Sequence, residues 1–131
     1  MDRLASVGIL LSRILLSGIF LFSGLSKIFA FTQTQAYMAD KGMHMTGVFL
    51  VLAIVFEICG GLMVLLGYYP RLGALALISF LIPTTAVFHR DFSAAGQAVQ
   101  FAKNLAILGG LLAIVSTGGG EFCIRRRGGS A

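Results

Sequence analysis

Long apolar runs separated by short polar connections dominate the pattern along this chain. Four such runs lie at about residues 4–29, 47–66, 72–88 and 101–117. Each is close to the length of about 20 residues that a helix needs to cross a hydrocarbon layer about 30 Å thick. The pattern therefore predicts an all-α fold, a polytopic membrane protein built as a four-transmembrane-helix bundle, in one domain over residues 1–131. The first connection spans residues 30–46, and its centre, at residues 32–42, has the composition of a short helix at the membrane interface.

Polar and small residues recur at helical spacing inside three of the four runs. Side chains three or four residues apart share one face of a helix, so each set forms a stripe. The stripe of the first run contains Ser6, Arg13, Ser17, Phe20, Gly24 and Lys27. The second run has Ala53, Glu57, Gly60, Gly61 and Val64, and the fourth has Ala106, Gly110, Ala113 and Thr117. Because polar groups avoid lipid and small residues let membrane helices approach closely, we expect these faces to point inward.

Two charged residues, Arg13 and Glu57, interrupt the apolar runs near their middles. Counted from the start of its run at about 1.5 Å per residue, each lies at a similar depth in the membrane. A lone charge in hydrocarbon is unfavourable, whereas two opposite charges share hydrogen bonds and neutralise each other. We therefore expect Arg13 to pair with Glu57, either as a functional element or as a purely structural one.

A second polar group is predicted where the other helix ends meet. Lys27 ends the first run, His89 follows the third, and Lys103 and Asn104 open the fourth. These residues would form a mostly cationic vestibule above Glu57, able to hold a small anion or a quinone headgroup. The alternative is that both lysines extend to the interface and His89 is an ordinary loop residue. The candidate ligand-binding set is Arg13, Lys27, Glu57, His89, Lys103 and Asn104, and Glu57 and His89 are the candidate catalytic residues.

The charge and composition of the chain are those of a membrane protein, since a soluble domain of this size would need more charge to cover its surface. The chain is 57% hydrophobic and 11% charged, with a net charge of +5. Three of its basic residues form the run Arg125–Arg127 in a basic tail at residues 121–131. Basic residues beside apolar spans favour the cytoplasmic side, so both termini are predicted to be cytoplasmic. A single terminal cluster is not the spread basic surface of a nucleic-acid-binding protein, and no nucleic-acid partner is expected.

The chain carries no sequence pattern for a bound redox centre. Two cysteines, Cys59 and Cys123, and two histidines fall short of a metal-ligand set, and there is no haem or flavin motif. We therefore expect no metal and no intrinsic cofactor. Any redox activity would use a quinone or the cofactor of a partner protein.

Several strings, in this order and spacing, resemble the DoxX family of small four-helix membrane proteins. They are SRILLSGIFLFSGLSKIF, QAYMADKGM, FEICGGLMVLLGYYPRLGA, VFH and FAKNLAILGGLLAIVSTGGG. The resemblance covers nearly the whole chain and includes Arg13, Lys27, Glu57, His89, Lys103 and Asn104. It implies a four-helix fold, a multi-pass location in the inner membrane of a bacterium, and a link to redox biology. Some relatives are associated with a quinone-reducing, thiosulfate-oxidising membrane complex, and others with oxidative-stress and thiol homeostasis complexes.

Three hypotheses about function follow. The first is an accessory membrane subunit linked to quinone or thiol redox partners; if it is an enzyme, it is a quinone-linked oxidoreductase subunit without its own metal or flavin. The second is a binding or transport module for a small anion or amphipathic solute, favoured by the similar strings FEICGGL and LAILGGL. The third is a structural partner protein. A lipid bilayer is the certain partner, and a redox partner protein or a homo-oligomer is expected.

Overall fold

The computed structural model describes residues 2–88 and 96–123, which form five α-helices and contain no strand. The helices are α1 (Arg3–Phe29), α2 (Phe31–Asp40), α3 (Thr46–Leu66), α4 (Pro70–Phe88) and α5 (Gln97–Thr117). The short helix expected in the first connection is α2, and α5 begins at Gln97, before the start of the fourth apolar run. The all-helical architecture confirms the predicted fold class.

The helix ends follow from local sequence. The carboxylate of Asp2 accepts a hydrogen bond of 2.7 Å from the backbone N–H of Ala5 and so caps the N-terminus of α1. The last residue before α4 is Tyr69, and Pro70 occupies the first position of the helix, where its missing N–H costs nothing. Gly67 ends α3 with a φ of 72°, a left-handed conformation that glycine adopts without strain.

The four long helices form an up-and-down bundle. α1 packs against α3, α3 against α4, and α4 against α5, while α2 lies against α3. The contact between α1 and α5 closes the ring and is much less extensive. It includes Gly110 of α5, where an added Cβ would lie 3.1 Å from the side chain of Leu16. The bundle is therefore tight on three sides and partly open on the fourth.

Burial follows the inverted pattern of a membrane protein. On α1, the polar residues Ser6, Arg13 and Ser17 are buried, whereas Leu15 and Phe22 are 72% and 74% exposed. Large apolar side chains directed outward and polar ones directed inward suit a lipid surrounding. The apolar core lies mainly between α3, α4 and α5. Its fully buried side chains include Leu50, Val64, Leu77, Leu111 and Ile114.

Within the described residues, three helices, α1, α3 and α5, are long and apolar enough to cross a membrane. The apolar part of α4, Pro70–Ala86, is shorter, but α4 packs between α3 and α5 as the central member of the same bundle. The length and apolar character of these helices confirm a polytopic helical membrane bundle.

Two of the three predicted stripes face inward. The buried residues of α1 are Ser6, Arg13, Ser17, Phe20 and Gly24, and those of α3 are Leu50, Glu57, Gly60, Gly61 and Val64. The adjacent glycines of α3 face two different helices. A Cβ on Gly60 would lie 2.9 Å from Leu77 of α4, and a Cβ on Gly61 would lie 3.1 Å from Leu21 of α1. This close approach explains why small residues stand beside Glu57.

The predicted inward stripe of the fourth run is wrong. Ala106, Ala113 and Thr117 are exposed, and α5 buries Ile107, Leu111 and Ile114 instead. The reason is that α5 packs mainly on α4 through large aliphatic side chains, and Gly110 alone of the predicted stripe meets α1. The stripe has no polar residue before Thr117 at its end, and its small side chains did not determine which face of α5 is buried.

Candidate ligand-binding site

A buried ion pair joins α1 to α3. The ammonium group of Lys27 lies 2.7 Å from Oε1 of Glu57 and also donates a hydrogen bond of 2.6 Å to Oγ of Ser23, one turn earlier on α1. The side chain of Glu57 is 2% exposed and that of Lys27 is 25% exposed. The aromatic ring of Phe80 on α4 has its centroid 6.0 Å from the same ammonium nitrogen. Three long helices thus contribute to this pair.

The predicted pairing of Arg13 with Glu57 is wrong, because Lys27 takes the place of Arg13. Gly24 of α1 stands level with Glu57, since a Cβ on Gly24 would lie 3.4 Å from Cβ of Glu57. Gly24 is eleven residues beyond Arg13, a separation of about 16 Å along the helix. The prediction measured depth from the start of each apolar run, but α1 has 27 residues, α3 has 21, and their ends are not level.

Arg13 instead caps the C-terminal end of α3. Its guanidinium group donates hydrogen bonds to the carbonyls of Val64 (2.8 Å) and Leu65 (2.9 Å), in the last turn of α3. Those carbonyls lack intrahelical partners, and the positive charge complements the negative end of the helix dipole. Two further bonds, of 2.9 and 2.7 Å, reach the carbonyls of Gly119 and Phe122. Arg13 is thereby separated from the other predicted ligand-binding residues.

The segment after α5 folds back under the bundle to meet Arg13. Its backbone N–H at Glu121 donates a 3.4 Å hydrogen bond to Oγ of Ser6, and an added Cβ on Gly120 would lie 3.5 Å from Cα of Ser6. The turn at Gly67 also contacts the segment, because a Cβ there would lie 2.7 Å from Cα of Cys123. We call residues 118–123 the return segment.

Two cavities meet at the Lys27–Glu57 pair. The first, of about 740 Å³, lies beneath α2 and between α1, α3 and α4, and we call it the α2 chamber. Its wall is rich in aromatic and methionine side chains. They include Tyr37, Met38, Met43, Phe49, Phe56 and Phe80. Lys27, Ser23 and Thr84 supply polar groups on the side that faces the ion pair.

The second cavity, of about 660 Å³, is the opening between α1 and α5, with α4 behind it, and we call it the α1–α5 cleft. Four of the predicted ligand-binding residues line it together: Lys27, Glu57, Lys103 and Asn104. Arg13 does not line it, and His89 lies outside the described residues. Because Lys27, Ser23, Phe80 and Thr84 belong to both cavities, the ion pair stands at their boundary.

Some residues of this site were not singled out from the sequence. Thr85, which is buried, accepts a 3.0 Å hydrogen bond from Nδ2 of Asn104 and so connects α4 to α5 at the wall of the cleft. Ser23 bonds to Lys27, and Phe80 separates the two cavities. The spacing of Ser23 and Lys27, four residues apart on one helix face, is a signal that could have identified that contact. Nothing in the sequence marks Phe80 among the chain's other apolar residues.

One oxygen of this site is unsatisfied. Oε2 of Glu57 is buried and has no hydrogen-bond partner among the described residues, although Oε1 is held by Lys27. An ammonium group has three donors, and Lys27 uses two of them on Glu57 and Ser23. A carboxylate oxygen buried without a partner is unfavourable by about 1–3 kcal/mol or more. The cleft therefore presents an acceptor and a donor that the described protein groups leave unused.

Comparison with known proteins identifies the class to which this arrangement belongs. Residues 8–90 match the DoxX family, so the chain belongs to the DoxX family, as the resemblance in its sequence indicated. It is 38% identical to Inner membrane protein YqjF of Escherichia coli K12 over 126 residues, which cover 96% of this chain and 95% of that protein. It is 31% identical to Inner membrane protein YphA of the same organism over 124 residues, covering 91% and 89%. No solved structure matches the chain.

These relatives and the apolar helices confirm the predicted location. Both relatives are named as inner membrane proteins, and the bundle has several helices able to cross a membrane. The chain is a multi-pass protein of the inner membrane, in contact with the lipid bilayer.

Proposed function

We propose that this protein binds a membrane quinone or the corresponding quinol, with the polar head of the ligand at the Lys27–Glu57 pair. In this role it is an accessory subunit that presents the ligand to a redox partner protein. The observation that carries the proposal is the incompletely satisfied ion pair at the boundary of two cavities. A buried carboxylate of this kind inside a membrane bundle indicates a functional site by default.

The size and chemistry of the cavities suit such a ligand. Volumes of about 740 and 660 Å³ fall within the usual range of about 300–1,000 Å³ for small-molecule sites. The α2 chamber offers aromatic and thioether surfaces for a planar ring, and the α1–α5 cleft opens on the side of the bundle where lipid lies. A ligand with a polar ring and an apolar chain would satisfy both environments.

The proposal assigns the electron-carrying group to the ligand. Within residues 2–88 and 96–123, no three His, Cys, Asp or Glu side chains come together as a metal-ligand set. In the proposed role the quinone carries the redox chemistry, and this chain binds and orients it. With both termini in the cytoplasm, as the sequence predicts, the site lies toward the outer face of the membrane.

The rival functions fit the ion pair less well. A small anion would meet the unpaired oxygen of Glu57, which repels negative charge. A purely structural pair would favour an arrangement in which both carboxylate oxygens have partners, since an unsatisfied one lowers stability. Both observations favour a ligand that is neutral and can form hydrogen bonds.

The proposal is tested by the ligand that accompanies the purified protein. The protein is extracted in mild detergent, and its lipids are analysed by mass spectrometry for quinone, in the wild type and in Lys27→Met. We expect quinone in near-stoichiometric amount with the wild type and its loss from the variant, because the variant removes the donor of the site.

The matched control is Lys41→Met, which removes an exposed lysine that lines neither cavity. This variant should retain the quinone. Absence of quinone from the wild type, together with no binding of an added short-chain quinone or quinol, would overturn the proposal. Equal amounts in Lys27→Met and Lys41→Met would exclude the ion pair as the site.

A further inference from the structure

We propose that Glu57 selects the reduced, hydroxyl-bearing form of the ligand over the oxidised, carbonyl-bearing form. This inference rests on the proposed function and adds a preference to it. The inference rests on Oε2 of Glu57, which is buried and has no hydrogen-bond partner among the described residues. Glu57 lines the α1–α5 cleft but not the α2 chamber.

The hydrogen-bonding capacity of the ion pair is asymmetric. Glu57 and the Lys27 ammonium form an ion pair at 2.7 Å, and the carboxylate of an ion pair only accepts hydrogen bonds. Lys27 only donates, and it retains one donor beyond those used on Glu57 and Ser23. The site therefore presents one free acceptor next to one free donor, on residues that face the same cleft.

A hydroxyl group matches this arrangement, and a carbonyl group matches half of it. The hydroxyl of a quinol can donate to Oε2 of Glu57 while it accepts from the Lys27 ammonium. The carbonyl oxygen of a quinone can accept from Lys27 but places a second acceptor against Oε2. Sites built to bond a particular hydroxyl discriminate strongly against analogues without it, because their own polar group is left unpaired.

The other polar side chains of the cleft do not replace this acceptor. Lys103 is a cation that only donates. The cleft also has side-chain oxygens on Ser23, Thr84, Gln100 and Asn104. These are neutral acceptors, which bind a hydroxyl donor less strongly than an ionised carboxylate does. Among the described residues that line either cavity, Glu57 is the one with an acidic side chain. Selection for a donor group on the ligand therefore falls to Glu57.

The test compares three probes that share one alkyl chain: an alkyl hydroquinone, the matched benzoquinone and the dimethyl ether of the hydroquinone. Dissociation constants are measured anaerobically on the full chain in nanodiscs. A hydrogen bond to a charged group corresponds to a change of about tenfold or more in affinity. We expect the wild type to bind the hydroquinone at least about tenfold more tightly than either the quinone or the dimethyl ether.

Variants assign the preference to Glu57. In Glu57→Gln, the ratio of hydroquinone to quinone affinity should fall to about threefold or less, since an amide no longer offers a charge-assisted acceptor. Glu121→Gln, the same change on an exposed acid in the return segment, should keep the wild-type ratio.

The outcomes separate the two proposals. Wild type that binds quinone and hydroquinone equally, or quinone more tightly, would overturn the selection by Glu57 and leave the proposed function standing. Wild type that binds none of the three probes would overturn the proposed function and the selection together. The wild-type comparison needs no variant, so the preference can be refuted even if Glu57→Gln does not fold. Retention of the wild-type ratio in a folded Glu57→Gln would show that another group selects the ligand.

Discussion

Among the described residues, two charged side chains are buried, and they differ in how many of their polar atoms have hydrogen-bond partners. Arg13 and Glu57 are each only 1% exposed. Arg13 uses its guanidinium in four hydrogen bonds to backbone carbonyls from two parts of the chain. Glu57 has one oxygen on Lys27 and the other without a partner among the described residues, beside an open cleft.

The difference distinguishes a structural charge from the charge of a site. A guanidinium at the end of a helix, with a carbonyl partner for each of its three nitrogens and four of its five N–H donors bonded, stabilises the fold. An incompletely bonded carboxylate lowers stability unless something else completes it. Residues equally buried in one membrane bundle therefore have different roles, and the number of satisfied polar atoms separates them better than burial does.

The largest expected loss of stability is for a substitution of Arg13. Arg13→Met removes four hydrogen bonds and leaves buried carbonyls of α3 and the return segment unpaired. We expect the bundle to lose at least about 3 kcal/mol of unfolding free energy, in line with breaking a buried charged network. Unfolding by SDS in mixed micelles measures this loss. Arg3→Met, at an exposed position of the same helix, should unfold like the wild type. Identical stability of the two variants would refute the capping role.

For the Lys27–Glu57 pair the expected loss of stability is smaller, and a second substitution should restore most of it. Lys27→Met leaves Glu57 buried without its counter-ion, which should cost about 2 kcal/mol, below the value for a fully buried pair because Lys27 is 25% exposed. The double variant Lys27→Met with Glu57→Gln should regain most of this stability, since no charge remains. A double-mutant cycle in the same unfolding assay measures the coupling. Additive losses, with no recovery in the double variant, would show that the pair does not determine stability.

The turn between α4 and the end of α3 that Arg13 caps gives a third comparison. Gly67→Ala puts a Cβ within 2.7 Å of both Nη2 of Arg13 and Cα of Cys123, at a φ of 72°. We expect a loss of about 1–2 kcal/mol, the approximate cost of a left-handed conformation for a residue with a Cβ. Gly8→Ala, where an added Cβ meets nothing, should be neutral or stabilising. Equal changes in unfolding free energy in Gly67→Ala and Gly8→Ala would argue against the tight contact at Gly67.

The smallest effect is expected for the neutral hydrogen bond at the cleft wall. Thr85→Val keeps the shape of the side chain but removes the acceptor of Asn104, at a cost of about 0.6 kcal/mol, typical of interhelical bonds in membranes. Thr117→Val serves as the control, because its hydroxyl donates to the carbonyl of Ala113 in its own helix. If Thr85→Val lowered the unfolding free energy as much as Lys27→Met does, neutral and charged contacts could not be distinguished by their contribution to stability.

The sequence predicted the fold because the apolar runs and the burial of polar groups follow from the solvent alone. Lipid requires long apolar helices, and Ser6, Arg13 and Ser17 could only face inward. The face of α5 was predicted wrongly because its stripe contains no polar residue between Ala106 and Ala113. For such a helix, packing against its neighbour decides the orientation, and the neighbour is not visible in one sequence.

The candidate site was predicted in part. Lys27, Glu57, Lys103 and Asn104 were placed together, and they line one cleft. The predicted partner of Glu57 was wrong. Depth in the membrane was counted along each helix from its own start, and the starts of neighbouring helices are not level. The four-carbonyl environment of Arg13 could not be predicted either, since it depends on the return segment, a stretch of glycines without helical pattern. The roles of these residues toward a ligand stay predictions.

The bonds of Arg13 also impose an order on biogenesis. Their acceptors lie 51, 52, 106 and 109 positions later in the chain. The ribosome delivers α1 to the insertion machinery before any of these carbonyls has been synthesised. The guanidinium of Arg13 therefore enters the bilayer before its hydrogen-bond acceptors are present. Synthesis of α3 brings the first two, and translation past Phe122 brings the last. A nascent chain that stops between these points leaves the guanidinium of Arg13 without the acceptors at Gly119 and Phe122.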